Sequence, residues 1–132
     1  MKFSRIALLA ALALGTAAPA YAQTPVFDTA AVNIDCRAGS CAAAAQAAIV
    51  LIAASGLTGR AYSDQIALLA SLLYGLAQGG QVSLADVGAA LRATAAASND
   101  PAQAAAIVAA AEAVESGRAA AGTPPAFEAS PN

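Results

Sequence analysis

The residues of this chain most able to take part in chemistry are Cys36 and Cys41, its only two cysteines. Their spacing is C-x-x-x-x-C, and Gly39 lets the chain turn back between them. Outside the reducing cytoplasm, an even pair of cysteines favours a disulfide. We therefore predict a structural bond that ties the N-terminal segment to the first turn of the helix that follows it.

A redox-active pair is the alternative for the same two cysteines. Dithiols of the thioredoxin type use C-x-x-C beside a βαβ pattern, and the sequence has neither. A cysteine at a helix N-terminus nevertheless has its thiolate favoured, so thiol–disulfide chemistry through Cys36 and Cys41 stays open. A zinc site needs about four ligands, and the chain has no histidine and no further cysteine to complete them. No metal site is predicted.

The absence of histidine also rules out Ser-His-Asp and Cys-His catalytic arrangements. The acidic residues are scattered, and three of them stand at predicted helix starts, where capping explains them: Asp64, Asp86 and Asp100. Glu112 and Glu115 share a helix face, which is typical of a solvated surface. The Gly79–Gly80 pair lacks the lysine of a phosphate-binding loop and is instead predicted to end a helix. The sequence thus predicts no catalytic residue and no cofactor, hence a protein that is not an enzyme.

The N-terminus has the order of regions that a signal peptidase recognises. A positive start precedes nine apolar residues at 6–14, and the small residues Ala20 and Ala22 follow. We predict a signal peptide over residues 1–22, with cleavage before Gln23. An uncleaved membrane anchor is the alternative, although the apolar run is shorter than the roughly 20 residues that span a bilayer.

Composition narrows the possible functions of the chain from Gln23 onward. Alanine supplies 35 of these 110 residues, which strongly favours helix over strand. Four arginines stand against eight acidic residues, so this part has a net charge of −4. Nucleic-acid binding requires clustered lysine and arginine, and attraction to anionic lipid requires a polybasic patch. Nucleic acid is therefore excluded as a partner, and membrane association is possible but disfavoured.

Apolar spacing predicts the first two of four helices. The first covers residues 40–55, with Ser40 as its N-cap and Gly56 after its end. It is apolar all round, so we expect it to be the central helix, with Leu51 in the core. The second covers residues 63–78 and carries the strongest core stripe of the chain. That stripe consists of Ile66, Leu69, Leu73 and Leu76.

Capping signals predict the other two helices. Ser83 and Asp86 form a capping box for the third, with Val82 and Val87 as a hydrophobic staple. Its predicted buried side consists of Leu84, Val87 and Leu91. The fourth begins at Asp100 with Pro101 in its first turn, and Gln103 is placed to complete a second capping box. Gly117 ends it.

These elements predict an all-α protein, a small antiparallel bundle of about four short alanine-rich helices over residues 40–117. An irregular arm at 23–39 precedes the bundle, and a flexible Pro/Ala tail at 118–132, disordered or draped on the surface, follows it. We expect an exported, periplasmic or secreted interaction or structural module that binds an unknown protein partner or itself. The alternatives are an envelope- or membrane-associated helical protein and a thiol–disulfide redox protein.

Overall fold

A computed structural model of the protein describes residues 24–119 and 125–128. Within these residues all regular secondary structure is helical, and the predicted all-α bundle is confirmed. The helices are α1 (Thr29–Arg37), α2 (Cys41–Ala54), α3 (Gly59–Gly79), α4 (Leu84–Ala97) and α5 (Pro101–Glu115). The predicted signal peptide and its cleavage residues Ala20, Ala22 and Gln23 lie outside the described residues.

Helix α1 stands where the sequence predicted an irregular arm. The side chain of Asp28 caps it by accepting a hydrogen bond of 3.1 Å from the backbone N–H of Ala31. Val32 and Cys36, one turn apart, are the two residues that α1 buries. The prediction was wrong because two core positions are too few to reveal a helical period. Packing on α2 and α3 supplies the stabilisation that a nine-residue helix lacks alone.

Helix α2 begins and ends where predicted, but it is not enclosed by the bundle. Its inner side packs on α1, α3 and α4 through Cys41, Ala44, Ala45, Ala48 and Ile52. Val50 is 63% exposed and Leu51 is 47% exposed, so the prediction of a central helix with Leu51 in the core was wrong. A helix that is mostly alanine is apolar on every side, and this pattern does not say which side is buried.

Helix α3 is the longest helix and begins at Gly59, four residues before the predicted start at Ser63. Ser63 is therefore buried inside the helix, and Asp64 lies 3.6 Å from the guanidinium of Arg60 on the preceding turn, so neither caps it. Gly80 ends the helix in the left-handed conformation, with φ of 75°. The predicted stripe of Ile66, Leu69, Leu73 and Leu76 is buried and forms the centre of the core.

The N-cap residues of α4 and α5 are those that the sequence predicted, Ser83 and Asp100. The hydroxyl of Ser83 accepts from the N–H of Asp86, and the carboxylate of Asp100 accepts from the N–H groups of Ala102 and Gln103. Both valines of the predicted staple are buried. Leu84 is 37% exposed, so the prediction that it belongs to the buried side was wrong. It is the first residue of α4, where only part of the side chain reaches the core.

The C-terminal tail was predicted to be disordered or draped on the surface, and residues 125–128 are not disordered but packed against the bundle. Phe127 is buried, and its ring lies 6.1 Å from the ring of Tyr74 in an edge-to-face arrangement. A single large aromatic side chain offers enough apolar surface to hold a short segment against the bundle. Ala119, just after α5, is also buried, and its carbonyl accepts a hydrogen bond from Gln78.

Candidate functional site

The cysteine pair lies where α1 meets α2. Cys36 is in the last turn of α1 and Cys41 is the first residue of α2, and their sulfur atoms are 1.96 Å apart, at disulfide-bonding distance as predicted. The turn between them is closed by the N–H of Ser40, which donates to the carbonyl of Asp35 over 2.8 Å. Both cysteines are buried, at 1% and 0% exposure. Thiol–disulfide exchange needs an attacking thiolate to reach a sulfur, so this geometry suits a structural bond better than a redox centre.

The carboxylates are not brought together into an acid–base pair. Glu112 is exposed, and Glu115 is held by Arg92 of α4 through two hydrogen bonds of 2.6 and 3.0 Å. Chiefly through this hydrogen bonding, the pKa of Glu115 is lowered and the pKa of Arg92 is raised. Among the described residues, no three potential metal ligands cluster. The acidic side chains therefore act as caps and surface partners.

The exposed side of α2, which we call the outer face of α2, is the most apolar helix surface among the described residues. It consists of Ala42, Ala43, Gln46, Ala47, Val50, Leu51, Ala53 and Ala54. Gln46 is its one polar residue, and α2 contains no charged residue along its 14 positions. A shallow cavity of about 60 Å³ separates its edge from α1, with Ala47 and Leu51 on one side and Asp28 and Asp35 on the other.

Two buried glutamines hold the ends of the described chain, and the sequence analysis missed this role for both. The amide of Gln65 accepts from the N–H of Val26 over 2.9 Å and donates to the carbonyl of Thr24 over 3.0 Å. Because residues 24 and 26 alternate along one side of the segment, this side chain pairs with the backbone as a neighbouring strand would. Gln65 is 1% exposed.

Gln103 binds the other end of the chain. Its Nε2 donates to the carbonyls of Ser63 over 2.9 Å and Phe127 over 2.8 Å, and its Oε1 accepts from the hydroxyl of Ser98 over 2.7 Å. The predicted capping box therefore does not form, because this amide points into the core. Its place one turn before the buried Ile107 is the sequence signal that could have revealed it.

No family model matches this chain, and neither a curated protein nor a solved structure matches it significantly. Function must therefore be inferred from the geometry of the described residues alone.

Proposed function

We propose that the protein is an exported interaction module, working in the periplasm or outside the cell, that binds a protein partner or itself without catalysis. The outer face of α2 is the contact surface in this proposal. The observation that carries it is the exposure of Val50 and Leu51 on a helix with no charged residue. Contiguous exposed apolar surface on a small protein marks an interaction site more often than chance.

Export is supported by the cysteine pair. A disulfide persists in oxidising compartments and is rare in the cytoplasm. The position of the predicted cleavage site also suits the fold. The backbone of Thr24 and Val26 is bound by Gln65, so a chain beginning at Gln23 keeps this anchor.

Association with the envelope is the second candidate, and the outer face of α2 is again the observation that favours it. In the described part of the chain, none of the helices is both long and apolar enough to cross a bilayer. A helix that lies on a membrane surface normally combines an apolar face with lysines and arginines. Helix α2 has the apolar face but contains no lysine or arginine, which favours a protein partner over lipid.

The test places a charge on the proposed contact surface. Val50→Glu and Leu51→Lys should leave the helical circular dichroism and the unfolding midpoint of the mature protein nearly unchanged, because Val50 is exposed and a lysine at the half-exposed Leu51 would face Asp28 and Asp35 across the cavity. Ala96→Glu, at an exposed position of α4, is the matched control. Light scattering would measure self-association, and co-purification from envelope extract would measure partner binding.

The expected result is loss of association in both α2 variants and its retention in Ala96→Glu. If wild type is monomeric at high concentration and captures nothing, the interaction proposal fails. If all three variants associate equally, the outer face of α2 is not the contact surface. Partition of wild type, but not Val50→Glu, into detergent or vesicles would favour the envelope-associated candidate.

A further inference from the structure

The contacts that Phe127 makes with the helices resemble those of a peptide bound in a groove. Its ring packs edge-to-face on Tyr74, its carbonyl accepts from Gln103, and its side chain is 2% exposed. The flanking residues Ala126 and Glu128 are exposed. One buried aromatic anchor with one backbone hydrogen bond, between solvent-facing neighbours, is the pattern by which grooves recognise extended peptides.

The helices hold Phe127 partly through a buried amide, that of Gln103, which needs hydrogen-bond acceptors. The amide of Gln103 is fully buried, and both of its N–H groups are used, one on Ser63 and one on Phe127. Undocking of the segment leaves one of these N–H groups without the Phe127 carbonyl inside the core, which is unfavourable. The site therefore favours a backbone carbonyl next to an aromatic ring, and Phe127 supplies both.

We propose that Tyr74 and Gln103, whose amide is also held by the carbonyl of Ser63, form a peptide-binding socket that is filled in this chain by its own Phe127. The socket takes a non-helical segment with an aromatic residue between small or polar neighbours. The occupant to which we assign it in trans is the same segment of a second copy, since every copy carries a segment that fits. This contact is separate from the outer face of α2 and does not depend on it.

Because the chain's own Phe127 occupies the socket, it competes with any segment that binds from another molecule. Phe127 follows the last residue of α5 by only twelve residues, and a short tether holds a ligand at an effective concentration of about millimolar. A free copy of the segment should therefore bind weakly to wild type and much better when the tethered Phe127 is removed. Exchange between copies should grow with protein concentration.

The first experiment uses full-length mature protein carrying Phe127→Ala and a synthetic peptide of residues 122–132. Calorimetry should show binding to this variant, and binding at least about tenfold weaker to wild type, because the tethered segment competes there. The same peptide with alanine in place of its phenylalanine is the matched control and should not bind. Adding Gln103→Leu to the variant should weaken binding further, since the carbonyl then loses its donor.

A second measurement covers the case in which Phe127→Ala does not fold. The chain contains no tryptophan, so Phe127→Trp introduces a single reporter whose emission is blue-shifted when it is buried. Excess wild-type peptide should displace it and shift the emission to the red, and the alanine peptide should not. The proposal is overturned if the peptide neither binds folded Phe127→Ala nor displaces Trp emission in Phe127→Trp. It is also overturned if both peptides act equally.

Discussion

Gly88 of α4 packs closely against the side chain of Glu115 on α5. A Cβ atom at this position would lie 2.5 Å from both Cγ and Oε2 of Glu115, closer than atoms can pack. The carboxylate is held there by Arg92. A methyl group here would therefore push the flexible end of the Glu115 side chain away from Arg92, whereas alanine is the better helix former.

This contact predicts the effect of Gly88→Ala. The new methyl group should force the end of Glu115 away from Arg92, which costs little because the ion pair is exposed. Alanine gains roughly 1 kcal/mol of helix propensity over glycine, so the free energy of unfolding should change by less than about 1 kcal/mol. In a Glu115→Ala background the same substitution should be clearly stabilising, because the obstacle is gone and the helix propensity of alanine remains. Urea unfolding of the two single variants and the double variant forms the cycle. Additive effects would contradict a direct clash.

The Arg92–Glu115 pair also predicts a pH dependence. The pKa of Glu115 is lowered in the folded protein by its hydrogen bond to Arg92. The stabilisation is therefore complete above the ordinary pKa of a glutamate and is lost as the pH falls through the lowered value. Unfolding of wild type and Glu115→Gln should differ slightly at neutral pH and converge in acid. A difference that persists at low pH would point to packing, with no contribution from charge.

If the buried cysteine pair is structural, removing one cysteine should lower the stability of the protein modestly. Cys36→Ser should reduce the free energy of unfolding by about 2 kcal/mol, because the bond closes a short loop, and should leave the helical circular dichroism intact. Native protein should not react with a thiol reagent until it is unfolded and reduced. Rapid reaction of the native protein would instead support the redox alternative for Cys36 and Cys41.

At the scale of the helices, α2 and α3 differ in how completely they are enclosed. Leu73 of α3 is fully buried, and Leu51 of α2 is half exposed. Leu73→Ala should therefore cost about 2–5 kcal/mol, whereas Leu51→Ala should cost less than about 1 kcal/mol. Urea unfolding in water without detergent measures both, and Leu51→Ala serves as the matched control. Equal losses would mean that α2 is enclosed in solution, for instance by a partner copy.

The same measurement separates the bundle from the envelope-associated alternative. A cooperative transition in water is expected for a chain whose five described helices share one core. A transition that develops only in micelles would favour the envelope-associated protein.

At the scale of the whole molecule, cleavage of the predicted signal peptide can be tested by measuring the mass of the exported protein. The exported protein should have the intact mass of a chain beginning at Gln23, because Ala20 and Ala22 stand where signal peptidase requires small residues. Ala22→Phe should block cleavage and retain the full-length chain, with Ala17→Phe as a control farther from the cut. Full-length wild-type protein in the envelope would instead support the membrane-anchor alternative.

Local signals in the sequence determined most of the helix framework. Asp100 with Pro101, Ser83 and Gly80 mark helix ends through contacts within a few residues, so the sequence alone places them correctly. The leucine stripe of α3 was equally clear, since large side chains one turn apart define a single side. The pairing of Cys36 with Cys41 followed from spacing in the same way.

Only the tertiary structure decided which side of α2 is buried, that residues 29–37 form a helix, and where Gln65, Gln103 and Phe127 are placed. Alanine occupies every side of α2, so its sequence pattern does not indicate which side is buried. Packing on α1, α3 and α4 determines that side. The glutamines bind backbone atoms 24 to 41 residues away in sequence. Such contacts form only when the packed helices bring distant segments together. Hydrogen-bond partners so far apart in the chain produce no periodic sequence pattern, so they could not be predicted from it.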